Sequence, residues 1–337
     1  MITIKDVAKK AGVSIAAVSY ALNDKGGVTE ETKKKIKLAA EELGYVPNSL
    51  AQGLLSKKTN FIGLIVPDIA NVYTANFFKY LNQYAYKNNF FLLLGSTAGD
   101  IEEEKKIIDK FIGRNVDALI IVPHNYRNEG FYRDLIRAAT KKRVPCLFAN
   151  MSFPGIKTNS VVPDFEEGQY KITRYLLDNG MKDFTFIGGP KTHYYSEIKY
   201  QGFLRALRES GITYSDDTYI ECGTNYTFED GYQMIREYLS GNPLPEAFVV
   251  VNDLMALGLI KGLGECGVKV PEDVSVTGFD DIELPTMKST NLTTVRVPLE
   301  DMARLCIEVL KEGKAGNVIK QFVLQPELVI GDSVLSK

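Results

Sequence analysis

The chain has 337 residues, 45% of them apolar and 24% charged, the proportions of an ordinary globular protein with room for two or three domains. Its four cysteines, Cys146, Cys222, Cys266 and Cys306, are far apart and its histidines number two, which excludes a disulfide scaffold and a zinc module. The net charge of −2 hides an uneven distribution: residues 1–60 hold ten lysines against six carboxylates, so a basic end is joined to an acidic body. No apolar run of signal-peptide or membrane-span length is present, so a cytoplasmic protein without metal or cofactor is expected.

In chain order, three short helices come first. Thr3 and Asp6 form a T-x-x-D start, Val7, Ala8 and Ala11 keep one face apolar, and Gly12 stops the helix. Ser14 caps a second helix from Ile15 to Leu22, with Val18, Ala21 and Leu22 at helical spacing, before Asn23-Asp24-Lys25-Gly26-Gly27 breaks the chain. Thr29 caps a third, with Glu30 and Glu31 at its positive end, Ile36, Ala39, Ala40 and Leu43 on one side, and Gly44 at its end. Two helices joined by Gly12-Val13-Ser14 read as a helix-turn-helix. Residues 47–55 can form a helix of little more than two turns, which alone should not persist.

From Phe61 onward, short apolar runs alternate with longer amphipathic ones. Strands are predicted at 61–66, 90–95, 118–122, 146–149, 184–187, 218–221, 247–251 and 274–277, with helices at 74–87, 102–113, 129–142, 166–179, 197–210, 228–239 and 254–266. Strands that are apolar throughout are what a parallel sheet covered on both faces requires. The pattern predicts a doubly wound α/β body, long enough for two sheets. Gly262-Leu263-Gly264-Glu265-Cys266-Gly267 spells G-x-G-x-x-G but closes a predicted helix instead of opening one, so no dinucleotide site is expected. With no other catalytic motif present, the chain is not expected to be an enzyme.

The headpiece sequence Thr3-Ile4-Lys5-Asp6-Val7-Ala8-Lys9-Lys10-Ala11-Gly12-Val13-Ser14, with Ala17-Val18-Ser19, Leu22-Asn23 and Gly44-Tyr45-Val46-Pro47-Asn48, resembles the lactose and galactose repressor family of bacterial transcription regulators. The resemblance continues through Ile62-Gly63-Leu64-Ile65-Val66-Pro67, Asn252-Asp253-Met255-Ala256-Leu257-Gly258 and Pro271-Glu272-Asp273-Val274-Ser275-Val276-Thr277-Gly278-Phe279-Asp280. It implies an all-α helix-turn-helix headpiece over residues 1–46 and a hinge helix and linker over 47–59. Residues 60–337 would form a core of two subdomains like those of periplasmic binding proteins, one about 60–160 with 291–325, the other about 161–290 with 326–337.

By that resemblance the protein is a homodimeric repressor of a palindromic operator, controlled by a small effector, in the first instance a carbohydrate. Ile15, Ala16 and Tyr20 then face base edges in the major groove, and Leu54 of the hinge enters the minor groove. The apolar Ile15 and Ala16 are suited to thymine methyls and groove shape, while the Tyr20 hydroxyl can donate or accept. Thr3, Ser14, Ser19, Asn23, Thr29 and Thr32 are short polar groups suited to phosphate oxygens, although capping alone is open for Ser14 and Thr29.

Effector-binding positions implied by the family are Tyr73, Thr74, Asn150, His193, Tyr195, Lys199, Tyr226, Asn252 and Asp280, and His124 follows an apolar strand in the same manner. Asp280 closes a buried-type strand, where a charge needs a partner, either a ligand hydroxyl pair or another protein group. Lys199 stands where the family usually has arginine, which replaces a bidentate fork by a point charge, and Pro163-Asp164 replaces an expected Asp-Asn pair. A phosphorylated carrier protein or a nucleobase corepressor is the alternative controller, and a stand-alone sugar-binding protein is the alternative of another class. No heptad run follows Ser333, so a dimer is expected without a tetramerising tail.

Overall fold

A computed structural model describes residues 2–22, 26–45, 59–124, 126–215, 218–284, 290–312 and 318–335. The chain forms two compact units, residues 1–59 and 60–337. In the first unit, helices α1 (Ile4–Ala11), α2 (Ile15–Leu22) and α3 (Glu30–Glu42) enclose a small core of Val7, Ala8, Ala11, Val18, Ala21, Ile36, Ala39 and Ala40. The Asp6 carboxylate accepts from the Thr3 amide and hydroxyl at 2.8 and 2.7 Å, while Gly12 ends α1 in the left-handed region at φ 65°. The hinge segment 47–55, including Leu54, lies outside the described residues, as does Asn23.

The second unit is built on two parallel sheets. The first, in the order β11-β5-β4-β3-β1-β2, comprises β1 (Phe61–Val66), β2 (Phe91–Ser96), β3 (Ala118–Ile121), β4 (Cys146–Ala149), β5 (Asn159–Pro163) and β11 (Gln321–Leu324). The second, in the order β7-β6-β8-β9, comprises β6 (Phe184–Gly188), β7 (Tyr219–Glu221), β8 (Ala247–Val250) and β9 (Ser275–Thr277). Strands β3, β4, β6 and β8 are buried at every position, because helices cover both sheet faces. Edge strand β11 exposes alternate side chains, among them Val323, and edge strand β2 exposes Phe91 and Leu94.

Four helices serve the first sheet: α4 (Val72–Lys87), α5 (Ile101–Gly113), α6 (Glu129–Lys141) and α11 (Leu299–Glu312). The second is served by α7 (Phe165–Asp178), α8 (Tyr194–Glu209), α9 (Phe228–Tyr238) and α10 (Asp253–Glu265). The short antiparallel pair of β10 (Thr294–Arg296) with β12 (Glu327–Val329) lies where the chain passes between sheets. The first sheet retains Val161, Val162 and Pro163, so the first crossover falls at Asp164, a few residues beyond 160.

The doubly wound α/β core expected from the apolar runs is present. Elements β5, β10, β11, β12 and α11 had no counterpart among the predicted ones. Helix α8 starts at Tyr194 and not at 197, since its N-cap His193 is not a typical capping residue and gives no local start signal.

Helices α9 and α10 meet at two glycines. A Cβ on Gly258 would lie 1.9 Å from the Phe228 carbonyl oxygen, and one on Gly231 would lie 2.0 Å from that of Met255. Gly258→Ala should therefore lower stability by about 1–3 kcal/mol through overpacking. Gly264→Ala in the same helix meets nothing within 4 Å and should raise stability by up to about 1 kcal/mol. Urea unfolding of both variants checks the pair; equal effects would place the close approach elsewhere.

Candidate functional site

Two surfaces carry the candidate residues. On α2, Ile15 and Tyr20 are 44% and 45% exposed and Ala16 is exposed beside them, while Val18 and Ala21 point into the core. An apolar residue left outside so small a core is free to touch a partner. The Ser14 hydroxyl accepts from the Ala17 amide at 3.1 Å, and that of Thr29 accepts from the Thr32 amide at 3.3 Å while meeting the Thr32 hydroxyl at 2.9 Å. Both therefore cap helices, and the Thr3 hydroxyl is held by Asp6.

In the core, the remaining candidates follow the C-terminal ends of parallel strands, the end at which doubly wound folds bind ligands. Tyr73 and Thr74 open α4 after β1, beneath the Asn71 side chain that caps it. His124 follows β3, Asn150 follows β4, His193 follows β6, Asn252 follows β8 and Asp280 follows β9. Three of these residues hold left-handed backbone: Asn150 at φ 66°, Tyr226 at 57° and Asp280 at 113°. Such conformations cost energy in non-glycine residues and persist where surrounding structure enforces them.

The floor of the cleft is a charged cluster. Lys199 is 4% exposed, and its ammonium donates to the Val251 carbonyl at 2.8 Å, lies 3.5 Å from an Asp280 oxygen and sits 3.7 Å from the centre of the Phe279 ring. Burial lowers the basicity of Lys199 against the pull of Asp280 and Asp253. The same burial raises the Asp280 carboxyl to about 6 despite the nearby ammonium, so desolvation outweighs the pair's attraction. Asp253, fully buried, accepts from the Thr294 hydroxyl at 2.5 Å and the Ile282 amide at 2.9 Å, and its carboxyl is also raised by burial and by Asp280.

Around this floor the walls are polar-tipped rings. The Tyr73 hydroxyl donates to Asn150 Oδ1 at 2.7 Å, and Tyr195 packs edge-on against Phe165. The Tyr226 hydroxyl lies 3.1 Å from His193 Nδ1 and 3.0 Å from the Ser196 hydroxyl. Asn252 is placed differently from a ligand-facing amide: its oxygen caps α10 through the Met255 amide, and its nitrogen donates to the Tyr226 carbonyl at 2.9 Å. It orients the wall. His124 and His193 come from opposite subdomains and meet at 6.4 Å between ring centres; burial lowers the basicity of both.

Several contacts around the site involve residues that were not among the sequence candidates. The Tyr126 hydroxyl donates to Glu197 across the cleft, and Tyr126 also packs on Tyr194. At another point Lys79 and Tyr80 of α4 both reach Glu283, the lysine at 2.5 Å. These latches join residues 71 and more than 200 positions apart, and no local pattern announces such pairs. Asp253 was visible beside Asn252 as a second acid after a buried strand. Glu104, 1% exposed, accepts from the Tyr132 hydroxyl at 3.0 Å, and that hydroxyl accepts from the His124 amide at 3.1 Å. Among the described residues no group of three or more acidic, histidine or cysteine side chains is arranged to hold a metal, and no helix is long and apolar enough to cross a membrane.

Comparison with known proteins agrees with this architecture. Residues 3–48 match the family described as bacterial regulatory proteins, lacI family, and residues 173–334 match a periplasmic binding protein-like domain. The chain is 33% identical over its whole length to the whole HTH-type transcriptional repressor PurR of Pasteurella multocida (strain Pm70). The solved dimeric lac repressor, bound to operator and the anti-inducer ONPF, is similar at 25% identity and a TM-score of 0.88, with 99% of each chain covered. The transcriptional regulator CelR in complex with cellobiose is similar at 25% identity and a TM-score of 0.71, covering 99% of this chain and 100% of that one. With its helix-turn-helix, its two-sheet core and these relatives, the chain belongs to the lacI family of bacterial regulatory proteins: it is a DNA-binding transcriptional repressor and not an enzyme.

Proposed function

We propose that the protein represses its target genes in the cytoplasm as a homodimer on a near-palindromic operator, and that a small effector, in the first instance a sugar or sugar derivative, binds between the core subdomains and changes operator affinity. The observation that carries the effector half is the buried Lys199–Asp280 pair facing tyrosine hydroxyls and Asn150 at the strand ends. A carboxylate that accepts, tyrosine hydroxyls and rings with flat apolar faces are groups a carbohydrate needs. A nucleobase fits the same set, its ring on a tyrosine and its N–H groups on Asp280. The complex of the CelR relative with cellobiose favours the sugar.

For the DNA half, Ile15, Ala16 and Tyr20 read base edges; Thr3, Ser14, Ser19, Asn23, Thr29 and Thr32 approach phosphates; and Leu54 of the hinge is a minor-groove wedge. A second copy covers the exposed Phe91 and Leu94 on edge strand β2, since an uncovered apolar edge promotes unwanted pairing. Effector binding works by closing the subdomains, which exchange chain near residues 160, 290 and 325.

Selection from a random duplex library with the full chain tests the reading. The expected product is a site of two inverted half-sites, rich in thymine at the contacted positions. Tyr20→Ala should weaken binding to that site by about 1–3 kcal/mol with little loss on random DNA. An asymmetric site, or equal losses on both DNAs, would remove Tyr20 from the reading surface.

A further inference from the structure

The cleft floor holds one cation, Lys199, against two carboxylates, Asp253 and Asp280. The ammonium is already engaged by the Val251 carbonyl, the Asp280 carboxylate and the Phe279 ring face, all of them electron-rich. Two cations of the neighbouring loops are drawn onto rings: Arg127 lies over Tyr126 at 5.5 Å and Lys191 over Tyr219 at 4.8 Å. At the rim, Glu197 adds a further carboxylate at the Tyr126 hydroxyl.

Helix N-termini do not supply the missing positive field. The first-turn amides of α4, α5, α7, α9 and α10 are met by the side chains of Asn71, Asp100, Asp164, Thr227 and Asn252. Helices α6 and α8 lack a side-chain cap at Asn128 and His193, but Glu129 and Glu197 are acids within their own first turns.

We propose that this cleft accepts an uncharged or cationic ligand and rejects the phosphorylated form of the same molecule; the proposal rests on the reading of the cleft as the effector site. A phosphate monoester brings close to two negative charges to the Asp280 carboxylate, and among the described residues the cation of the floor is already engaged by that carboxylate, the Val251 carbonyl and the Phe279 ring. An amino sugar gains where the phosphate loses, since its ammonium meets Asp280.

Thermal shift and isothermal titration of the full chain at low ionic strength test this with matched probes: glucose, galactose, trehalose and adenosine, each beside its phosphate monoester, with glucosamine as the cationic member. The expected result is a stabilising neutral or cationic member whose phosphorylated counterpart binds at least about tenfold more weakly, with the gap narrowing in Asp280→Asn, which removes one of the two carboxylates. A phosphorylated member binding as tightly as its neutral counterpart overturns charge selection and leaves the cleft as the sensor. A gap unchanged in Asp280→Asn overturns its electrostatic origin. No shift from any probe counts against the effector reading itself, and the charge selection falls with it.

Discussion

Lys199→Met is expected to destabilise the core by about 3–5 kcal/mol at neutral pH, because it strips the ammonium from Asp280 and leaves that carboxylate buried without its cation. Methionine fills the volume beside Phe279, so the loss is electrostatic and not a cavity effect. The pH dependence gives the sign. Asp280, already raised to about 6 with Lys199 present, rises further without it, so its protonation relieves the variant as pH falls through that range. The deficit should be largest above neutrality and shrink in acid. Adding Asp280→Asn should recover most of it, since removing both partners avoids the uncompensated charge. Denaturant unfolding of the two single variants and the double variant supplies the cycle. A single-variant loss below about 1 kcal/mol would mean that the ammonium contributes little to holding the cluster.

Glu104→Gln is expected to stabilise the protein. Burial raises the Glu104 carboxyl from 4.5 to about 7, partly offset by the Tyr132 hydroxyl. A carboxyl raised in the folded state helps stability when protonated; that contribution is complete below about pH 4.5 and lost as pH rises through 7. At pH 8 the wild type therefore carries an ionised, buried group with one oxygen lacking any hydrogen-bond partner. Glutamine keeps an oxygen for the Tyr132 hydroxyl without the charge. The gain should approach roughly 3 kcal/mol at pH 8 and vanish near pH 4.5. A gain independent of pH would place the effect in packing and not in ionisation.

The parts of the fold legible in the sequence are those fixed by short-range physics. Strands β1, β3, β4 and β8 are continuous apolar runs, β6 is one interrupted only by Thr185, and Thr3, Ser14 and Thr29 mark helix starts through hydroxyls that bond within one turn. Strand β5, Asn-Ser-Val-Val-Pro, has two polar residues and a proline, and β10 and β12 are three residues each, too short to show a period. Helix α11 is a different case. Leu299, Met302, Ala303, Cys306, Ile307 and Leu310 recur at helical spacing and are buried, so its signal was present in the sequence.

The candidate site divides in the same way. A polar residue after an apolar strand is a local pattern, and it led to His124 and supported His193 and Asp280, whereas Asn150 and Asn252 came from the family resemblance. What each side chain does depends on partners distant in sequence. Asn252 proves to be a cap and a support for Tyr226, and Lys199 spends its charge within the protein. The cross-cleft contacts of Glu197 and Glu283 arise from two subdomains facing each other, and no spacing within either segment encodes that.

The central claim is that the cleft and the DNA-reading helix are coupled through one chain. Its most direct test is the affinity of the full chain for its selected duplex, measured by fluorescence anisotropy with and without a saturating amount of the compound that stabilises the core. The account predicts a change of about 5- to 150-fold in wild type, abolished in Asp280→Ala with the affinity of the ligand-free variant for DNA preserved. Equal operator affinity with and without the bound compound would contradict it.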